Sequence, residues 1–175
     1  MPVFPARPFA RLPLLVGCVL AVCSTAAGCS TPPLAHDSYQ TGRHRVVELL
    51  NQSGSALPPG SGFKTVTLND TDREVCRKKF LGYSLPGPVG RQPEVTQIVN
   101  LPAKTDQNTM LPRIEALWRQ HGYRLDLAGL HDPKFPKIRA HTGDYTLVAT
   151  SFSHTPGFSN APRVTLYVVG ACMRG

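Results

Sequence analysis

The sequence predicts an α+β fold. The expected form is a two-layer sandwich, a mostly antiparallel sheet of about five strands with two helices on one face. Three observations predict it. Residues 41–53 and 106–121 repeat apolar side chains at helical spacing. From Tyr123 onward the chain alternates apolar and polar residues between short turns, as antiparallel strands do. The 175 residues, 41% of them hydrophobic, suffice for one packed core and exclude large barrels and long solenoids.

The first 28 residues read as an export signal preceding that fold. Arg7 and Arg11 form a basic start without an acid, and an apolar run follows from Leu12 to about Ala27. The run is interrupted and short of the roughly 20 apolar residues that span a bilayer. It ends in Ala26-Ala27-Gly28-Cys29. Small residues before a cysteine resemble a bacterial lipobox, in which the thiol takes a diacylglycerol and the peptide is cut ahead of it. Cys29 is thus the expected lipidation site. Cys18, after Leu15-Val16-Gly17, is a competitor that leaves almost no apolar run before the cut. Cys23 follows the bulky Val22. Acyl chains contribute about 0.8 kcal/mol per buried CH₂, so two or three hold a protein firmly to the membrane.

Residues 29–40 read as a polar, proline-containing tether, and residues 41–175 as a single domain. Val46, Val47, Leu49 and Leu50 give 41–53 a helical face that Thr41 caps. Ser53 to Gly62 is a Gly/Pro/Ser loop. Phe63 to Leu68 alternates and predicts a strand. Residues 73–93 are ambiguous, because Cys76, Phe80, Leu81 and Tyr83 are apolar while Pro86-Gly87-Pro88 and Gly90 mark a loop. Val95 to Leu101 predicts a second strand. The strongest helix is Asp106 to His121, with Asp106 or Asn108 as cap, an apolar face of Leu111, Ile114, Leu117 and Trp118, and Gly122 as the terminating glycine. Strands follow at Tyr123–Leu127, Ile138–His141 and Tyr145–Phe152, the last two joined through Gly143-Asp144. A longer turn at Thr155 to Pro162 leads to a final strand, Arg163–Ala171.

Removing the signal and the lipid cysteine leaves Cys76 and Cys172 of the five cysteines. An even pair in an exported domain reads as one disulfide. It would tie the C-terminal strand to the first half of the domain, stabilising a loop of almost 100 residues by about 4–5 kcal/mol. Neither cysteine lies in a Cys-x-x-Cys pair, which argues against a redox role. Lysine and arginine outnumber aspartate and glutamate 19 to 11. A basic, lipid-anchored domain suits the anionic surface of a membrane or cell wall. Nucleic acid is not expected, because the charges are scattered, Arg77-Lys78-Lys79 is the sole run, and aromatics are sparse.

Several motifs occur together: the lipobox, Trp118-x-x-x-Gly122-Tyr123 at a helix exit, Gly143-Asp144-Tyr145 in a hairpin, and the ending Val168-Val169-Gly170-Ala171-Cys172. In this the chain resembles the small mycobacterial-type lipoproteins of actinobacteria, of the LppA kind. The resemblance implies a lipid-anchored protein of the cell envelope, on the outer side of the cell membrane, with one disulfide. It lends no catalytic residues.

Nothing in the spacing of reactive side chains requires catalysis, a metal or a cofactor. The histidines, His36, His44, His121, His131, His141 and His154, show no His-x-His, His-x-x-x-His or His-Glu-x-x-His spacing. Turn chemistry accounts for the neighbours His131-Asp132 and for Asp144 near His141. Gly82-Tyr83-Ser84-Leu85-Pro86 misses the second glycine of a serine-hydrolase elbow. Pairing Asp126 with Asp144 as catalytic carboxylates has no support in the spacing. Trp118 reads as core. The expected function is therefore a non-enzymatic docking module at the outer face of the membrane, held by Cys29 and meeting another envelope protein. A carrier of a lipid or small apolar ligand is the alternative, and an envelope hydrolase using Ser84 or His154 ranks last.

Overall fold

The computed structural model describes residues 35–80, 83–126, 136–152 and 162–174. The signal segment, Cys29, the first part of the tether, and His131, Asp132 and His154 lie outside the described residues.

The elements run α1 (Tyr39–Gly54), a 3₁₀ turn (Leu68–Asp70), β1 (Asp72–Phe80), β2 (Tyr83–Asn100), α2 (Gln107–Gln120), β3 (Arg124–Asp126), β4 (Lys137–Thr142), β5 (Tyr145–Phe152) and β6 (Arg163–Gly170). Among the described residues these strands form one six-stranded sheet in the order β1-β2-β6-β5-β4-β3. Every pairing is antiparallel. The α+β sandwich is thus present, with six strands rather than about five.

Period-2 alternation decides which face is covered. In β6, Val164, Leu166, Val168 and Gly170 are buried and the residues between them half-buried. Opposite them stand Ser151, Ala149, Leu147 and Tyr145 of β5, and beyond those Ile138 and Ala140 of β4, all buried. Val95 and Val99 of β2 continue the row. Both helices lie on this one face, α1 against β2 and β6, α2 against β3, β4 and β5. Val46, Leu49 and Leu50 of α1 meet Met110, Ile114 and Trp118 of α2 in the same core, each 1% exposed or less.

The buried polar groups between the helices are satisfied in series. The Trp118 indole donates to Ser53 Oγ at 2.9 Å, and that hydroxyl donates to the Leu49 carbonyl at 2.8 Å. Trp118 is therefore core, as expected. Gly54 is needed for close approach, since a Cβ there would sit 2.1 Å from Phe63 Cζ.

α2 ends as its sequence predicts. Gly122 adopts φ +73°, its N–H donates to the Arg119 carbonyl at 2.9 Å, and the Tyr123 N–H reaches back to Trp118 at 2.9 Å. This is a Schellman closure. The helix starts at Gln107, so Asp106 flanks it while Asn108 lies inside it. The hairpin also forms as expected, Thr142 facing Tyr145 across Gly143 (φ +54°) and Asp144.

Four expectations need correction. α1 begins at Tyr39 and is capped by Ser38, whose hydroxyl accepts the Thr41 N–H at 3.2 Å, so Thr41 is inside the helix rather than its cap. Residues 35–40, expected in the tether, belong to the packed domain: Tyr39 is 4% exposed and Ala35 packs against the core. Phe63 to Leu68 is not a strand despite its alternation. The Asn51 side chain takes both backbone groups of Val66, at 2.9 and 3.0 Å, and Gln97 Nε2 takes the Lys64 carbonyl at 2.8 Å. Side chains from α1 and β2 thus occupy hydrogen-bonding groups that a strand neighbour would use.

The fourth correction concerns residues 73–93, ambiguous in the sequence, in which Pro86-Gly87-Pro88 and Gly90 read as marking a loop. They form most of the β1–β2 ribbon instead. β1 is an edge strand, and β6 pairs with β2 only from Glu94 onward. The prolines therefore sit where most of the ribbon has a single strand neighbour, and a missing N–H costs little there. A register shift between Arg77 and Lys79 spans Leu85-Pro86-Gly87, which have no paired partner, and another between Cys76 and Arg77 passes over Val89.

The Ser53 hydroxyl is the acceptor that keeps the Trp118 indole satisfied in the core. Ser53→Ala should lower unfolding stability by about 1–3 kcal/mol, the cost of a stranded buried donor. Denaturant titration checks this; an unchanged midpoint would show that the indole finds another acceptor.

Candidate functional site

Cys76 and Cys172 form the expected disulfide, with Cα atoms 6.0 Å apart and a sequence separation of 96. Around it three segments distant in sequence converge. The Ala35 N–H donates to the Cys172 carbonyl at 2.7 Å, and the Tyr39 N–H to the Arg174 carbonyl at 3.2 Å. Arg91 and Met173 exchange both backbone hydrogen bonds at 2.8 Å. The first described residues, the last ones and the middle of β2 are thereby held at one end of the sheet.

Packing there is tight. Met173 is fully buried, and a Cβ at Gly42 would lie 2.2 Å from its sulfur. A Cβ at Gly170 would lie 3.0 Å from both Met173 Cε and Pro93 Cγ. The Arg91 guanidinium stands 5.8 Å from the Tyr39 ring centroid, within cation–π range. The Tyr145 hydroxyl donates to Asp37 Oδ2 at 2.8 Å, tying β5 to the residues before α1. Burial, and then this bond to a carboxylate, push the Tyr145 phenol well above its ordinary pKa of 10.0. The bonding is structural. It fixes where the N-terminal segment meets the domain, and Cys29 lies only six residues ahead of Ala35.

The second feature is the sheet face opposite the helices. Across it run Asp126 of β3, Arg139 and His141 of β4, Thr146 and Val148 of β5, Tyr167 of β6, and Glu94 and Ile98 of β2. Ile98 is 65% exposed. The Tyr167 hydroxyl donates to Glu94 Oε2 at 2.7 Å, and burial followed by this carboxylate raises its pKa strongly. Arg139 Nη1 lies 3.3 Å from Asp126 Oδ2. His141 sits between Thr146 Oγ1, 3.1 Å from Nδ1, and Asp126 Oδ2, 3.9 Å from Nε2.

A carboxylate, an imidazole and a hydroxyl in series are the parts of an acyl-transfer relay. Here the carboxylate is beyond hydrogen-bond distance of the ring and closer to Arg139. The group is better described as a polar network on a half-buried sheet face. Sequence reasoning missed it, having set His141 beside Asp144. The available signal was the hairpin register, which puts Arg124 opposite His141 and His141 opposite Thr146.

The remaining expected positions do not assemble. Ser84 is exposed on β2, in register with Lys79 of β1. His121 contacts Gln52 at about 3 Å and stacks obliquely on Tyr123. Among the described residues no three metal-ligating side chains cluster. An open cleft of about 460 Å³ lies between the loop after α1 and α2, lined by Leu57, Pro58, Pro59, Arg113, Leu117 and Gln120. No helix among the described residues is long and apolar enough to cross a membrane. Comparison with protein-family models, with curated proteins and with solved structures finds no match to this chain.

Opening the disulfide frees a very long loop in the unfolded chain. Cys76→Ala combined with Cys172→Ala should lower stability by about 4–5 kcal/mol on loop entropy. Calorimetry measures it, and a midpoint shift under a few degrees would assign the stability of this end to Met173 packing instead.

The raised phenols of Tyr145 and Tyr167 give a signed pH dependence. Their neutral forms are favoured in the folded state, so that stabilisation is complete below the unfolded pKa of 10.0 and lost as pH rises above it. Tyr145→Phe and Tyr167→Phe should each flatten the alkaline unfolding curve. A variant whose curve falls as steeply as wild type would show that its phenol is not responsible.

Proposed function

We propose that the chain is a lipid-anchored docking module of the cell envelope, tethered through a diacylglycerol on Cys29 and presenting the sheet face opposite its helices to another envelope protein. The observation that carries this reading is the asymmetry of the sandwich. Both helices bury one face of the sheet, while the other bears Ile98 at 65% exposure beside a satisfied set of charged and aromatic groups. Such a face, apolar at points and polar between them, has the composition of a non-obligate interface. The small residues before Cys29 support the anchor, and the resemblance to small actinobacterial lipoproteins points the same way. The carrier reading has less support: among the described residues the apolar side chains between the layers are almost wholly buried against one another.

The test is made in the membrane of the producing cell. Cys29→Ala should move the chain to a soluble or unprocessed form, and a photoreactive residue at Ile98 should give a discrete protein adduct. Normal processing and fractionation of Cys29→Ala would overturn the anchor. Adducts confined to lipid or to the chain itself would overturn the docking face.

A further inference from the structure

We infer that the projecting part of the β1–β2 ribbon, Cys76–Phe80 with Tyr83–Arg91, is a second membrane contact that rests on anionic lipid headgroups. Its placement against the bilayer rests on the lipid-anchored reading above. The charge and geometry of the ribbon stand independently of it.

Three observations converge. The first is charge. Residues 75–93 carry Arg77, Lys78, Lys79 and Arg91 and no aspartate or glutamate, the nearest acids being Glu74 and Glu94 at the base of the ribbon. Arg77 and Arg91 are exposed. The second is shape. β6 pairs with β2 only from Glu94, and Met173 pins Arg91, so the described residues before that point pair only within the ribbon. Phe80 and Tyr83 pair at its far end. A basic stem with aromatic residues at its tip is the composition favoured at the membrane–water interface.

The third is position. The ribbon springs from Cys76, which is bonded to Cys172, and the Cys172 carbonyl accepts the Ala35 N–H. A fully extended chain from Cys29 to Ala35 reaches at most about 20 Å. The anchor therefore holds this end of the domain, and with it the base of the ribbon, close to the bilayer. Each basic residue near an anionic surface adds about a fivefold preference for it.

The experiment uses the full processed protein, extracted from its own membrane and carrying Tyr83→Trp. It is reconstituted with brominated lipids in vesicles of phosphatidylcholine alone or of phosphatidylcholine with phosphatidylglycerol. Trp118 is 1% exposed and should contribute little to the quenching. The expected result is strong quenching of the new tryptophan in the anionic vesicles only. Salt at 1 M shortens screening to about 3 Å and should remove it in the unaltered ribbon. Reversing Arg77, Lys78 and Lys79 to glutamate should reduce ribbon occupancy more than about tenfold. A circular dichroism spectrum like that of wild type would show that the reversed chain still folds.

Quenching that is absent, or equal in both vesicle types, overturns the ribbon contact. If the protein still floats with neutral vesicles in that case, the anchor survives and only this inference fails. Flotation and quenching confined to anionic vesicles would instead remove the anchor and leave the ribbon contact standing.

Discussion

The hydrogen bonds along the two edges of β6 hold the sheet together. On one side β6 pairs with β2 and through it with β1; on the other it pairs with β5, and through it with β4 and β3. Without β6 the chain would be a two-stranded ribbon and a separate meander, neither with a covered face large enough for stable packing. The perfect alternation of β6 follows from this central position. Every second residue must enter the core, because both neighbouring strands and α1 close over it. Cys172 and Met173, immediately beyond it, extend the same join, one through a covalent bond to β1 and the other through its backbone pairing with Arg91.

Much of this was legible in the sequence because it is local. Helical spacing located both helices, Gly122 marked the end of α2, and alternation found β4, β5 and β6. The cysteine pair followed from elimination, since the other three cysteines lie in or at the end of the segment expected to be an export signal. What was not legible depends on neighbours distant in sequence. Pro86 and Pro88 break a central strand but are tolerated where a strand has one partner, and no local pattern tells how many partners a strand will have. Phe63 to Leu68 has the alternation of a strand, but Asn51 and Gln97 occupy its backbone. Asp126, His141 and Thr146 meet only through the register of β3, β4 and β5.

The two surfaces of interest differ in how they are made. The second sheet face arises from covering: both described helices lie on the other side, so the alternate residues of each strand, mostly half-buried, face away from them. Its carboxylates are partnered across strands, Asp126 by Arg139 and Glu94 by the Tyr167 hydroxyl, which makes the face specific in shape. The ribbon arises from the mismatch in length between β2 and β6. The eighteen residues of β2 outrun the eight of β6, and the excess, with its partner strand β1, carries Arg77, Lys78, Lys79 and Arg91 between Glu74 and Glu94.

The central place of β6 also has a consequence for timing. The last strand in the chain is the middle of the sheet, so the most distant contacts in sequence are also the ones that complete the core. Folds built on such separations form slowly, because the cost of closing long loops precedes the gain from burial. A nascent chain lacking its last residues has no strand between β2 and β5, no Met173 to fill the space beside Gly42, and no second cysteine for Cys76. The closed sheet therefore waits on β6: until that strand is in place, the ribbon and the meander are two separate pieces with no shared core.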